Sequence, residues 1–240
     1  MALPKLSVPL FDIAIPSTNR QIKFRPFLVK EEKILLIAQA SGSKKDIVNA
    51  MKQIINNCVV SIDGKSINVD EFATFDIEYL FLKIRAKSVE NIIKLKYRDT
   101  EDDKSYEFEV DLDNIEIIRN ENHTNKVKVN DEIGIIMKYP TPDITNKIID
   151  DGISTENIMT LMISDCIDKI YDKDNVYLAK EADPKELDEF VDSMSIKVLE
   201  EVRNFFDTMP KLYHKIEYTN SKGTERVIEL SSIDDFFTLG

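Results

Sequence analysis

An alternating pattern near the start of the chain gives way to a helical pattern at Pro26. Ile22 and Phe24 alternate with polar residues, and Pro26 disfavours helical angles for the residue before it. Glu31 and Glu32 follow closely, where the dipole of a new helix favours negative charge. The apolar positions around them are Leu28, Ile34, Leu35 and Leu36. These positions form a stripe too wide for a helix that faces water on most of its circumference. We therefore predict a β-hairpin ending near Phe24, followed by a core helix.

Spacing farther along predicts two more helices and a second hairpin in the first half of the chain. Gly42 is expected to end the first helix and Ser43 to cap the second. A third helix is predicted from about Asp76 to Lys87 because its apolar residues recur at helical spacing. Strict alternation predicts a hairpin over residues 92–112. Its tip, residues 98–104, is acidic and is expected to be solvated.

The second half of the chain mixes strand-like and helical patterns. The predicted elements are strands between Val127 and Tyr139, helices from about Asp143, from Thr155 through Ile170, from Pro184 and from Ser193 or Ser195 to Thr208, and a third hairpin over 212–230. The helix and hairpin at 77–87 and 92–112 match those at 196–206 and 216–230 in order and pattern. An internal helix-plus-hairpin repeat and a chance similarity are both compatible with this match.

A polar run divides the chain. Residues 119–126 contain no apolar side chain to bury and are predicted to form a linker. We expect an α+β fold of two units in which helices pack on β-hairpins. Residues 1–118 are predicted to form an N-terminal unit of hairpin, three helices and hairpin. Residues 127–240 are predicted to form a helical unit that ends in a hairpin.

Composition narrows the classes of partner. The chain has 240 residues, of which 44 are acidic and 32 basic, giving a net charge of −12. This charge repels phosphate backbones and anionic lipid surfaces, so neither nucleic acid nor a membrane is an expected partner. Cys58 and Cys166 lie in apolar helical patterns, typical of buried thiols in a reducing compartment. No apolar run is long enough for a signal peptide or a membrane span, so we expect a cytoplasmic protein.

The residue types that catalysis requires are sparse. His123 lies in the polar run and His214 in an alternating strand, without the spacing of a zinc site. The acidic segment 168–175 lacks the glycine and the terminal glutamate of a calcium loop. The adjacent acidic pairs at 150–151 and 234–235 point different ways and form no acid/base dyad. We predict no enzyme, cofactor or metal site, the alternative being a metal-dependent hydrolase or nuclease that acts through the acidic clusters.

Five segments, spread from the first hairpin to the last, carry a family resemblance. They read KFRPFLVKEEK at 23–33, FDIEYLFLKIRAKSV at 75–89, HTNK at 123–126, MKYP at 137–140 and FFDTMPKL at 205–212. The chain resembles the baseplate hub proteins of T-even-type contractile-tailed bacteriophages. The resemblance implies a tail-morphogenesis protein that is made in the host cytoplasm and belongs to the virion tail baseplate or helps to assemble it. One departure is that many relatives carry Cys-x-x-Cys pairs at the tips of the second and third hairpins, which are absent here, so zinc is not carried over.

The resemblance gives a leading function and a close alternative. The leading one is a structural or assembly component of the baseplate hub that contacts other hub and tail proteins, including the tape-measure protein. The alternative is a transient assembly chaperone for tape-measure or hub proteins that is absent from the virion. The residues predicted to contact partners are Phe24, Arg25, Phe27, Arg85, Lys87, Phe236 and Phe237. The apolar C-terminal residues are expected either to dock on their own domain or to face a partner.

Overall fold

The computed structural model describes residues 6–60, 67–144, 147 and 155–237. Its helices are α1 (Val29–Ser41), α2 (Lys44–Cys58), α3 (Thr74–Ser88), α4 (Thr155–Cys166), α5 (Pro184–Asp192), α6 (Ile196–Thr208) and α7 (Ile233–Phe237). Its strands are β1 (Phe11–Ala14), β2 (Gln21–Phe24), β3 (Val59–Val60), β4 (Ile92–Arg98), β5 (Ser105–Asp111), β6 (Glu116–Ile118), β7 (Lys126–Lys128), β8 (Gly134–Met137), β9 (Ile167–Tyr171), β10 (Val176–Leu178), β11 (Lys211–Thr219) and β12 (Glu225–Leu230). The fold is α+β with small antiparallel sheets, as predicted.

The three predicted hairpins are confirmed as β1–β2, β4–β5 and β11–β12. The strand orders in the described sheets are β1-β2-β3, β4-β5, β12-β11-β6 and β10-β9-β8-β7. Gly42 ends α1 in a left-handed conformation (φ 68°), which suits glycine because it has no Cβ. The Ser43 side chain accepts a hydrogen bond from the backbone N–H of Asp46 and so caps α2, as predicted.

The chain divides into two compact units, but not at the predicted boundaries. Unit 1 comprises residues 1–118 and 211–240, and unit 2 comprises 119–210. The terminal hairpin therefore belongs with the N-terminal half, because β11 pairs with β6 as well as with β12. Ile118 and Lys211 lie opposite each other in the β6–β11 pair. In the sequence, unit 2 is therefore an insertion between two strands that pair with each other in unit 1.

The predicted linker at 119–126 is part of unit 2. Lys126 already belongs to β7, and the His123 ring packs in a three-ring cluster with Tyr139 and Phe205. The helix expected through Ile170 is also shorter than predicted: α4 ends at Cys166, and the chain continues as β9. Most of the helix expected from about Asp143 lies outside the described residues.

α3 is the central helix of unit 1. Leu80 and Phe81 face one apolar core formed with the first hairpin and α1 and α2. Leu82 and Ala86 face a second core formed with the other two hairpins. A helix buried on opposite sides must be apolar around most of its circumference, and α3 is. Unit 2 has its own core, in which the four-stranded sheet packs with α4, α5 and α6. In the described parts of the chain, none of the helices has the length and apolar character to cross a membrane.

Candidate partner-binding surface

The joint between β2 and α1 is fixed by a buried ion pair. Arg25 follows β2 directly, and its Nη2 lies 2.9 Å from Glu31 Oε1. The same guanidinium donates to the backbone carbonyls of Pro26 at 2.9 Å and of Asn57 at 3.0 Å. Glu31 is completely buried, and removing one partner of such a pair leaves a buried charge uncompensated. These contacts hold the start of α1 against the end of α2.

Glu31 also caps the helix to which it belongs. Its Oε2 accepts a hydrogen bond of 2.9 Å from the backbone N–H of Leu28, which precedes α1. Burial alone would raise the pKa of Glu31, but the hydrogen bonds from Arg25 and Leu28 outweigh burial and lower its pKa. Glu31 is therefore ionised at neutral pH, and its charge complements the helix dipole.

α1 exposes apolar side chains on the side opposite its buried carboxylate. Val29 is 73% exposed, Leu36 54% and Ile37 72%. Their spacing of seven and eight residues places them on one side of the helix. Lys30 and Lys33 are exposed beside them. We call these five residues the α1 outer face. Exposed apolar groups clustered in this way typically mark an interaction surface rather than a solvated face.

The prediction that α1 is a core helix is therefore correct for only one of its sides. Leu35 and Ala38 are buried, and α1 packs against α2. A wide apolar stripe predicts burial on most sides of a helix, but here part of the stripe is exposed. The signal that pointed to the exposed side was the presence of Lys30 and Lys33 within the apolar run, because lysine is almost never fully buried.

The structure separates the residues that the sequence predicted as partner contacts. Phe24 and Phe27 are buried in the first core of unit 1, on either side of the Arg25 joint. Lys87 is exposed and forms an ion pair of 2.9 Å with Asp113. Arg85 lines a groove of about 640 Å³ that runs along β4. The roles of these residues in partner binding stay predictions, and burial places the two phenylalanine rings away from the surface.

The C-terminal residues that are described dock on unit 1. Phe236 is buried in the second core and also forms part of the groove beside β4. Asp234 forms an ion pair of 3.0 Å with Lys44, and Asp235 accepts hydrogen bonds from the backbone N–H groups of residues 231 and 232. Of the two alternatives predicted for this segment, docking on its own domain is therefore the one that Phe236 shows. The side chain of Phe237 lies outside the described residues.

The acidic tip of the second hairpin is not solvated throughout, contrary to the prediction. Asp99 is completely buried and accepts hydrogen bonds from Tyr218 Oη at 2.5 Å and from the backbone N–H of Glu101 at 2.7 Å. Asp102 accepts a hydrogen bond from the backbone N–H of Ser221 at 2.9 Å. These residues join the tips of the second and third hairpins, and we call their contacts the hairpin junction. Because buried carboxylates need donors, the facing tip supplies them.

Polar groups elsewhere are engaged in structural contacts. In unit 2, the His123 ring nitrogens lie 2.9 Å from Thr208 Oγ1 and 3.0 Å from Tyr139 Oη, and burial lowers the pKa of His123. Burial raises the pKa of Cys58 to about 11 and that of Cys166 to about 12, so both thiols stay protonated at neutral pH and are poor nucleophiles. Within the described residues, no group of three or more His, Cys, Asp or Glu side chains could hold a metal ion.

Comparison with known families identifies the chain. The model of the T4 bacteriophage base plate protein family matches residues 8–238, nearly the whole length. The chain belongs to the T4 base plate protein family. It is therefore a phage baseplate protein, and the match covers residues of both units. Searches of curated proteins and of solved structures find no significant match.

Proposed function

We propose that this base plate protein is a non-enzymatic structural component of the baseplate hub and acts through protein–protein contacts. The observation that carries the proposal is the α1 outer face, where three large apolar side chains are exposed on one side of a helix. The buried Arg25–Glu31 pair fixes the start of this helix. A fixed surface loses less conformational entropy when it binds than a mobile one does. Its partners are other hub and tail proteins, including the tape-measure protein.

Charge and chemistry support this proposal over an enzymatic one. The net charge of −12 opposes binding to the phosphates of nucleic acid. The two thiols are protonated, and the buried Asp99 is engaged by hydrogen bonds in the hairpin junction. In the described parts of the chain, the clearest feature without a structural role is thus an apolar surface, whose chemistry suits protein contact.

Co-purification from infected cells tests the proposal. The tagged chain should recover hub and tail proteins, and Ile37→Lys should reduce their recovery about tenfold because it places a charge in the centre of the interface. The matched control is Val227→Lys, a similar change at an exposed position of β12, which should leave recovery unchanged. Both variants should keep the melting temperature of the parent protein. Equal recovery with Ile37→Lys and the parent would contradict the role of the α1 outer face.

A further inference from the structure

The structure points to a second docking surface, and we infer that a groove in unit 2 binds a cationic segment of another baseplate protein through apolar anchors. This inference rests on the proposed function and names a partner chemistry for a separate surface. The groove has a volume of about 370 Å³. Its apolar lining comes from Ile133, Ile170, Leu187 and Phe190, which are all partly exposed. We call it the unit 2 groove.

Three of the four apolar residues that line the groove belong to helices or strands. Ile170 is on β9, whereas Leu187 and Phe190 are on α5. β10 contributes Tyr177, which is half exposed. α5 begins with Pro184 after an Asp183 cap that accepts a hydrogen bond from the backbone N–H of Lys185. The apolar side chains are therefore presented from ordered backbone, as a pre-formed site requires.

The charges around the groove select the partner. Asp172 and Glu186 are the charged residues that line it, and both are acidic. The surrounding unit has the same sign: residues 119–210 contain 20 acidic and 11 basic residues, so they carry −9 of the net charge of −12. A field of one sign attracts and orients an oppositely charged partner. The occupant is therefore a lysine- or arginine-rich segment with aliphatic or aromatic side chains that fill the apolar lining.

The groove beside β4 in unit 1 differs in this respect. Its charged lining residues are of both signs, Arg85 and Lys94 against Glu90 and Glu109. Charge complementarity therefore does not define an occupant for that groove, although its volume is larger. An apolar lining with charges of one sign thus separates the unit 2 groove from the groove beside β4.

Site-specific photo-crosslinking in infected cells tests the inference. Benzoylphenylalanine is placed at Ala182, an exposed groove residue, and at Glu200, an exposed position of α6 outside the groove. The probe at residue 182 should crosslink to peptides of other tail proteins that combine net positive charge with apolar residues. The probe at residue 200 should give no such product.

A charge reversal provides the matched control. Glu186→Lys should reduce the yield from the probe at residue 182 about tenfold, because it turns attraction into repulsion at the groove. Glu189→Lys makes the same change on the same helix outside the groove and should leave the yield within about twofold. When the irradiation is done in a lysate of the infected cells instead, higher salt should lower the yield of the crosslink.

Several outcomes would overturn the inference. These are crosslinked peptides that are neutral or acidic, crosslinks to a second copy of this chain, and equal yields in the Glu186→Lys and Glu189→Lys variants. Absence of a crosslink at residue 182 while tail proteins still co-purify with the tagged chain would also overturn it and leave the proposed function standing. Failure to recover any tail protein would instead remove the proposed function, and the inference with it.

Discussion

At the residue scale, two buried carboxylates connect separate segments of unit 1. Glu31 and Asp76 are both completely buried, and each lies in the first turn of a helix. Asp76 accepts hydrogen bonds from the backbone N–H groups of Ala73 at 3.2 Å and of Ser17 at 2.8 Å. Each carboxylate thus satisfies a backbone donor at a helix start and a second group from another part of the chain. These two buried carboxylates therefore organise the local backbone.

The Arg25–Glu31 pair gives the first prediction. Arg25→Ala should lower the free energy of unfolding by about 3 kcal/mol, because Glu31 would remain buried without its main donor. The matched control is Lys30→Ala, since Lys30 also reaches Glu31 at 3.3 Å but is mostly exposed, and its loss should cost less than about 1 kcal/mol. Urea unfolding of both variants measures the difference. Equal effects would mean that the guanidinium has no special role at the joint.

Glu78 gives a prediction about pH. Burial raises the pKa of Glu78 to about 7, and the nearby charges of Asp234 and Asp235 act in the same direction. The folded state therefore binds this proton more tightly than the unfolded state does. The stability gained from this protonation is fully present below the unfolded-state pKa of Glu78, near 4.5. It is lost as pH rises through the folded-state pKa of about 7. The Glu78→Gln variant should lose this component, so its stability relative to the parent should rise by roughly 2 kcal/mol between pH 5 and pH 8.

Denaturant unfolding at pH 5 and pH 8, with the two proteins compared at each pH, isolates Glu78 from the other titrating groups. The backbone N–H of Ile233 donates to Glu78 at 3.3 Å, so the docking of α7 should share the pH dependence. Hydrogen exchange at residues 233–237 reports on that docking. If the parent and Glu78→Gln change in parallel with pH, Glu78 does not titrate in this range.

At the element scale, the hairpin junction is the main departure from what the sequence predicts. The register of β4 and β5 is visible in the alternation of their apolar residues. The burial of Asp99 is not visible there, because it depends on a strand more than a hundred residues away. Aromatic rings support the junction: Tyr218 lies 4.9 Å from Tyr106 and 5.1 Å from Phe108 between ring centroids.

Removal of one hydroxyl tests the junction. Tyr218→Phe should destabilise the protein by about 2 kcal/mol, because it withdraws a donor from a buried carboxylate. Tyr213→Phe is the control on the same strand, since its hydroxyl donates to the exposed Glu229 at 3.1 Å and should contribute less than about 0.5 kcal/mol. Chemical denaturation measures the free energy of unfolding of both variants. A cost for Tyr218→Phe as small as that of the control would show that Asp99 does not need the Tyr218 hydroxyl, since Arg226 Nε of the third hairpin also lies 3.3 Å from its carboxylate.

The other departures from the sequence prediction share a physical cause. The pattern that predicted a helix through Ile170 does not stop at Cys166, because Ile167 and Ile170 keep a spacing of three residues that fits a helix, while short apolar stretches also fit a buried strand. The exposed side of α1 looked like core because apolar residues serve both burial and binding. Caps and hairpins were predicted correctly because they depend on neighbouring residues, as at Gly42 and Ser43. Which side of α1 is exposed depends on long-range packing. The sequence therefore predicted the helix but not the α1 outer face.

At the scale of the whole molecule, the chain is one unit interrupted by another. The sequence predicted the first boundary near residue 118 but assigned the terminal hairpin to the wrong unit. Strand pairing between β6 and β11 joins segments on either side of the insertion, and pairing between distant strands has no local signature. The family match covers residues of both unit 1 and unit 2.

Because β6 and β11 pair with each other, we predict that unit 2 can be deleted from the chain. Replacing residues 119–210 with Asn-Gly would join Ile118 to Lys211, which are already opposite each other, by a two-residue hairpin turn. The shortened chain should fold and unfold cooperatively, because unit 1 keeps both of its apolar cores. Circular dichroism and a denaturation curve measure this. A chain that is unfolded in buffer would show that unit 1 depends on unit 2 for its stability.

The central claim is that the chain is a structural component of the finished baseplate and works through its protein contacts. Quantitative mass spectrometry of purified virions, compared with the lysate of infected cells, tests it most directly. The chain should be present in virions in a fixed ratio to other baseplate proteins. Ile37→Lys should lower this incorporation, whereas Val227→Lys should not. A chain that binds tail proteins in the lysate but is absent from virions would contradict the claim and identify a transient assembly chaperone instead.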